Sequence, residues 1–259
     1  MRMMKKVLGT VTVLALSVSL LAGCGSTAAS PVSSAASTAA ESTTSSVVSE
    51  TTSAAADENV AAAAQLLNDL TGSYQELWPV ILADEYQQTW LDDCTALVGE
   101  ENAEAAFEKL SSMVTSDVYG EDAVEAYANG GGAYFCGFTN SLATLTFDGE
   151  TSTISGTDKD GNVLFSHTYH YIGMEPVHGL YEFESDDADS GEFTYFFLAP
   201  DTSAETYHIE FRYGSDADAL SQYDAGDYAY WLASGISTDC DQTMIDNCIE
   251  LFCTENLAG

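Results

Sequence analysis

The segment Tyr207-His208-Ile209-Glu210-Phe211-Arg212-Tyr213-Gly214 alternates between apolar and polar side chains over most of its length. Side chains of a β-strand point to opposite faces with a period of two residues. The segment therefore predicts a strand with one apolar face and with His208, Glu210 and Arg212 on the other. A half-exposed antiparallel strand commonly has this pattern, so the polar face is either simply solvated or functional. On such a strand His208 and Glu210 lie about 7 Å apart, close enough to share a metal ion.

Further strands are predicted upstream of this segment. Between residues 133 and 213 aromatic and β-branched residues alternate with polar ones, and turn signals recur. Asp148-Gly149 and Asp160-Gly161 are typical hairpin turns. The pattern predicts strands at 133–139, 142–147, 151–156, 162–172, 179–184, 192–199 and 205–213. About seven consecutive antiparallel strands around one core form a barrel or a sandwich.

Helices are predicted on both sides of the strands. Between residue 59 and about residue 129, apolar residues recur at helical spacing. One such series consists of Tyr74, Leu77, Trp78 and Ile81. After Gly214, helices are predicted at 216–223, 228–233 and 239–254. Thr238 is the predicted N-cap of the last helix. The fold class that follows is α+β and mainly β.

The N-terminus has the features of an exported lipoprotein. Arg2, Lys5 and Lys6 precede the apolar run of residues 7–21, which predicts a secretory signal peptide over residues 1–23. Leu21-Ala22-Gly23-Cys24 resembles the lipobox of bacterial lipoproteins. The resemblance implies cleavage before Cys24 and a diacylglyceryl thioether on its sulfur. Such a lipid anchor would hold the protein at the extracytoplasmic side of the cell membrane; a plain signal peptide with a chance Cys is the alternative.

The segment after Cys24 is predicted to be a disordered tether over residues 24–57. It consists almost entirely of Ser, Thr, Ala and Val between residues 25 and 56, without aromatic or basic residues. Such a composition buries too little apolar surface to offset the entropy of ordering. The remaining residues, 58–259, are enough for one well-buried domain.

Charge limits the partners that this chain can have. All 41 acidic residues follow the signal peptide, where only Lys109, Lys159 and Arg212 are basic, so the formal charge there is 3 − 41 = −38. This excludes a nucleic-acid binder and argues against binding to anionic lipid surfaces. Such an excess of negative charge is typical of a soluble protein or of one from an acidic or salty habitat. It would also concentrate divalent cations near the protein.

Cysteine usage excludes one class of metal site. Five cysteines follow Cys24, and an odd number cannot all pair within the chain. They are Cys94, Cys136, Cys240, Cys248 and Cys253. None falls in a Cys-x-x-Cys spacing, so a zinc site built from four thiolates is not predicted.

Three stretches of the chain resemble the ZinT family of exported zinc-binding proteins. They are Leu67-Asn-Asp-Leu-Thr-Gly-Ser-Tyr-Gln-Glu-Leu-Trp-Pro79, Tyr181-Glu182-Phe183-Glu184, and His208 to Ala219 together with Tyr228-Ala229-Tyr230-Trp231. The likeness extends over about residues 60–250. It implies a calycin, or lipocalin-like, antiparallel barrel with N-terminal and C-terminal helices.

The resemblance also implies where a metal ion would bind. The family holds zinc with three His, one before an Ile-Ala-Pro turn and two in a His-x-His strand. By position these correspond to Phe196, His208 and Glu210. Phe196 cannot bind a metal, so a third ligand must come from elsewhere. A His and carboxylate set binds zinc more weakly than three His and tolerates Mn²⁺ better.

His170 is the predicted third ligand. The other candidates are His167 and His178, and each of the three could instead be an ordinary surface or hydrogen-bonded His. Because His167 and His170 point to opposite faces of their strand, at most one of them reaches the barrel interior. Arg212 on the polar face of its own strand would repel a cation or pair with Glu210.

These observations predict a lipid-anchored, extracytoplasmic zinc-binding protein without enzymatic activity. Its role would be zinc capture or buffering, and the family resemblance implies a divalent metal ion and a zinc ABC transporter as partners. The alternative is a calycin-like binding module that has lost the metal and holds a small organic ligand or an envelope partner. Aromatic residues suggest that alternative, although ordinary core packing also explains them; they are Tyr169, Tyr171, Tyr195, Phe196 and Phe197. The chain contains no Gly-x-Ser-x-Gly, His-Glu-x-x-His or phosphate-loop motif.

Overall fold

A computed structural model describes residues 47–200 and 208–258, with the side chains of 47–57 left out. The predicted signal peptide, the lipidated Cys24 and the tether up to residue 46 therefore lie outside the described residues. The first helix, α1 (Val47–Asp69), begins within the segment predicted as the tether.

The described elements are seven α-helices and eight β-strands, with two short 3₁₀ turns at Asp84–Tyr86 and Gly191–Phe193. The other helices are α2 (Leu77–Ile81), α3 (Gln87–Val98), α4 (Glu100–Ser112), α5 (Glu121–Ala128), α6 (Ala217–Leu220) and α7 (Gln242–Leu257). The strands are β1 (Gly72–Glu76), β2 (Thr144–Asp148), β3 (Thr153–Thr157), β4 (Val163–Met174), β5 (Tyr181–Ser185), β6 (Tyr195–Leu198), β7 (His208–Gly214) and β8 (Ala233–Ser237). Within the described ranges, no helix combines the length and the apolar character that a membrane span requires.

The eight strands form a closed antiparallel barrel in which each strand pairs with its neighbour in sequence. The barrel closes where β1 pairs with both β2 and β8, so that Tyr74 lies opposite Leu145 on one side and Ser237 on the other. This up-and-down order of eight strands is the lipocalin arrangement. The predicted fold class, an antiparallel barrel with N-terminal and C-terminal helices, is confirmed.

Aromatic side chains fill the barrel. Phe183 of β5 lies opposite Phe196 of β6, which lies opposite Tyr213 of β7, and all three are almost fully buried. Leu66 of α1 and Leu70, just after that helix, belong to the same core. The interior of the barrel is thus a packed core. Burying one such ring stabilises the fold by about 1.5–3 kcal/mol.

A second core lies outside the barrel. There α2, α3, α4 and α7 pack around Trp90 and against Ile236 on the outer face of β8. Trp90 is fully buried, and its indole N–H donates to the backbone oxygen of Ile81 at 2.7 Å. This layer of helices covers the β7–β8 side of the barrel.

The sequence pattern missed β1 and β8. Tyr74 has helical spacing to Leu77 and Ile81, and residues 228–233 resemble a short helix. In the structure β1 begins at Gly72, whose φ is +148°, and Gln75 pairs with Ile236 across the closing seam of the barrel. Pairing between distant segments outweighs the local pattern at both places.

The strand predicted at 133–139 was wrong. The structure shows only isolated bridges there, from Phe135 to Thr115 and to Trp231. The N–H of Phe135 donates to the carbonyl of Tyr230, and that of Tyr134 donates to Met113. Because these bonds go to two different segments, no ladder forms.

The last helix begins later than predicted. Its N-cap is Asp241, whose carboxylate accepts the N–H of Met244 at 3.0 Å, and the helix runs from Gln242 to Leu257. Thr238 lies four residues before the helix, where its N–H donates to the carbonyl of Ser73 and continues the pairing of β8 with β1.

Candidate metal-binding cleft

The polar face of β7 points away from the barrel core. Ile209, Phe211 and Tyr213 are buried in the aromatic core, as their alternation predicts, whereas His208 and Glu210 are partly exposed. Since a strand's side chains alternate between faces, His208 and Glu210 lie on the outer wall of the barrel, beneath the helical layer. The strand prediction for this segment is thus confirmed, and the metal-ligand candidates are outside the barrel.

His208 and Glu210 line one small cleft between β7, α2 and α7. The cleft encloses about 30 Å³, enough for a metal ion or about two water molecules. Four residues of α7 form its opposite wall: Cys248, Leu251, Phe252 and Glu255. Their spacing of three, four and seven residues places them on one helix face, so a carboxylate, Glu255, belongs to the wall that faces the strand.

A thiol lies next to Glu210. Burial raises the pKa of Cys136 to about 12, and the negative charge of Glu210 acts in the same direction. The Cys136 thiol is therefore protonated at neutral pH, and a metal ion would have to displace its proton in order to bind it.

Sequence reasoning did not identify Glu255 or Cys136. Both are distant in sequence from His208, and many other acids are available. The one usable signal for Glu255 is its helical spacing from Cys248 and Phe252 on the apolar face of α7.

The cleft does not contain a complete metal site as it stands. Across the side chains described for residues 58–200 and 208–258, no three His, Cys, Asp or Glu are grouped closely enough to hold a metal ion. Zinc in proteins takes four ligands, or three together with a water molecule. A metal ion in this cleft would therefore require Glu255 or another side chain to reorient towards His208 and Glu210.

His170 lies far from this cleft. Its Nδ1 is 2.7 Å from Oδ1 of Asp186, and the side chain is half exposed. The register places His170 opposite Glu184, Glu184 opposite Tyr195, and Tyr195 opposite Gly214 at the far end of β7. His208 is thus three strands away, about 14 Å around the barrel, and about 20 Å away along the strand direction. The structure does not bring the predicted third ligand to the other two.

The remaining candidate His residues have carboxylate neighbours of their own. Nδ1 of His167 is 2.8 Å from Oδ2 of Asp187. Nδ1 of His178 is 3.5 Å from Oε2 of the fully buried Glu175. Neither residue lines the cleft.

Arg212 neither lines the cleft nor faces solvent. It is fully buried and donates to the backbone carbonyls of Leu220, Gln222 and Tyr228. Its guanidinium carbon lies 4.2 Å from the centre of the Tyr223 ring, and burial lowers its pKa. Arg212 therefore holds the 217–228 segment against the barrel.

Of the five aromatic residues that suggested an organic ligand, three are buried in the core, and Tyr171 and Tyr195 pack against it while partly exposed. Phe196 and Phe197 are fully buried, and Tyr169 is 2 % exposed. The Phe196 ring packs against Phe165 and Tyr213, with centroid distances of 5.9 and 5.3 Å. At the position where the family resemblance implies a ligand, the chain thus has a core ring. A separate open cavity of about 340 Å³ lies beside α2, with Glu76 and Cys136 in its mostly apolar lining.

No family model and no curated protein matches this chain. Solved structures do resemble it, and two of them contain zinc. The zinc-bound ZinT-like domain of AdcA from Streptococcus pneumoniae has a TM-score of 0.45 and 14 % identity, over 71 % of this chain and 89 % of that one. Zinc-bound AdcA from the same organism has a TM-score of 0.43 and 13 % identity, over 72 % of this chain and 35 % of that one. With TM-scores this low, neither likeness establishes family membership or a ligand for this chain.

Proposed function

We propose that this chain is an extracytoplasmic, lipid-anchored protein that binds a divalent metal ion, zinc foremost, in the cleft between β7, α2 and α7. The observation that carries the proposal is the shared cleft, in which His208 and Glu210 on one wall face the helix that bears Glu255. Imidazole nitrogen and carboxylate oxygen are ordinary zinc ligands.

The ligand set determines the expected affinity. One imidazole and one or two carboxylates bind zinc less tightly than three imidazoles do, and they accept Mn²⁺ more readily. The formal charge of −38 after residue 23 raises the local concentration of cations. These properties fit a protein that captures or buffers metal outside the cell and passes it to a zinc ABC transporter.

The proposed location rests on the sequence. The basic residues, the apolar run and the Leu-Ala-Gly-Cys motif ending at Cys24 occur in the order that an exported lipoprotein requires. The proposed role is binding rather than catalysis, because the chain carries none of the hydrolase or phosphate-loop motifs named above.

Zinc titration by calorimetry tests this proposal. We expect one site with a dissociation constant tighter than about 100 µM, corresponding to at least about 5.5 kcal/mol of binding free energy. The double variant His208→Ala/Glu210→Gln should bind at least about tenfold more weakly. Affinity should also fall between about pH 7.5 and about pH 5.5, because protons compete with the metal for imidazole.

The matched control is His170→Ala, which removes an imidazole with a carboxylate partner on another side of the barrel. It should leave the zinc affinity unchanged. Zinc binding that is absent, or that survives in the double variant, would contradict the proposal.

A further inference from the structure

Two cysteines from distant parts of the chain meet between α3 and α7. Cys94 of α3 and Cys253 of α7 are both fully buried, and their sulfur atoms are 3.9 Å apart. Rings pack around the pair, with Trp90 and Phe252 at a centroid distance of 6.0 Å. A disulfide bond brings two sulfurs to about 2.05 Å, so these sulfurs would have to approach each other by about 1.9 Å.

We propose that Cys94 and Cys253 form a disulfide that staples α7 to α3. The proposal rests on the proposed export of the chain, since disulfides persist outside the cytoplasm. Two thiols give up two protons and two electrons to a disulfide oxidant, R–S–S–R, which leaves as two R–SH. The first thiolate forms a mixed disulfide with one sulfur of the oxidant, and the second thiolate then displaces that sulfur.

The surroundings of the pair determine when the bond forms. Burial raises the pKa of both thiols, and in Cys94 the hydrogen bond with Cys253 partly offsets this. The attacking species is the thiolate, and an oxidant cannot reach sulfurs that are fully buried. The bond therefore forms during folding, or when α7 transiently separates from α3.

The staple would hold the wall of the metal cleft. Leu251, Phe252 and Glu255, which flank Cys253 on α7, line that cleft. The bond joins residues 159 positions apart, and closing so long a loop removes much of the conformational freedom of the unfolded chain.

Peptide mapping by mass spectrometry tests the proposal on the full chain. The protein is unfolded, refolded in a glutathione redox buffer, alkylated and digested without reduction. We expect one linked peptide pair containing Cys94 and Cys253, with the melting temperature about 5–10 °C higher in the oxidised than in the reduced protein. If both cysteines are alkylated after oxidative refolding, or are linked to other partners, the proposal is wrong.

Variants provide a second readout. Cys253→Ala should abolish the difference in melting temperature between oxidised and reduced protein. The control Cys240→Ala, at a partly exposed site between β8 and α7, should retain the difference. None of these readouts involves zinc. If the protein shows the linked peptide but does not bind zinc, only the proposed function is contradicted. If it binds zinc but shows no linked peptide, only the proposed disulfide is contradicted.

Discussion

Glu210 and Arg212 are two residues apart on the same face of β7, yet the structure gives them different surroundings. Glu210 is partly exposed in a cleft lined by α7, whereas Arg212 is fully buried under the 217–228 segment. The alternation in the sequence correctly predicts that they share a face. It could not predict what covers each residue, because the covering segments lie elsewhere in the chain.

The buried guanidinium predicts a stability effect. Replacing Arg212 with Met should lower the free energy of unfolding by about 2–4 kcal/mol, because the backbone carbonyls of Leu220, Gln222 and Tyr228 would lose their donor while buried. Chemical denaturation measures this change.

Lys159→Met is the matched control for Arg212. Lys159 is exposed, and its ammonium pairs with Asp160 at 3.0 Å, a kind of contact that contributes little. We expect no measurable change in this variant. An Arg212 variant as stable as the control would show that the guanidinium does not hold the 217–228 segment.

At the scale of single elements, local patterns predicted the middle of the barrel well. Strands β2, β3 and β4 are joined by tight turns such as Asp148-Gly149, where the Asp148 carboxylate accepts the N–H of Glu150 at 3.1 Å. Their pairing is therefore encoded nearby in sequence. Strands β1 and β8 pair across more than 150 residues, as Gln75 with Ile236 shows. No local pattern could indicate that seam.

The start of α7 offers a test at this scale. Asp241→Ala should lower the free energy of unfolding by about 1 kcal/mol, because the N–H of Met244 loses its acceptor at the N-cap. Thermal or chemical denaturation measures this loss.

Asp239→Ala is the control for Asp241→Ala, because it removes the same charge two residues earlier. The hydrogen bond of Asp239 to Ser237 is made by its backbone N–H, which the substitution keeps. It should have a clearly smaller effect. A larger loss in Thr238→Ala than in Asp241→Ala would restore the sequence-based start of the helix and contradict the structure.

At the scale of the whole molecule, the barrel and its layer of helices determine where a ligand could bind. Aromatic rings fill the interior, so the polar face of β7 can serve a ligand only on the outside, where α7 covers it. The sequence predicted His208 and Glu210 as a pair because two ligands on one strand face are a local feature. Which further side chain lies near this pair depends on how α7 packs against β7, and no local pattern encodes that packing. His170 is a suitable ligand by residue type, but it lies three strands away.

The location of bound zinc tests the central claim most directly. Crystals of the protein soaked in zinc, measured at the zinc absorption edge, would show the ion as an anomalous peak. We expect the peak in the cleft between β7 and α7, about 2.0–2.2 Å from an imidazole nitrogen of His208 and a carboxylate oxygen of Glu210. A peak beside His170 and Asp186, or no peak within reach of His208, would contradict it.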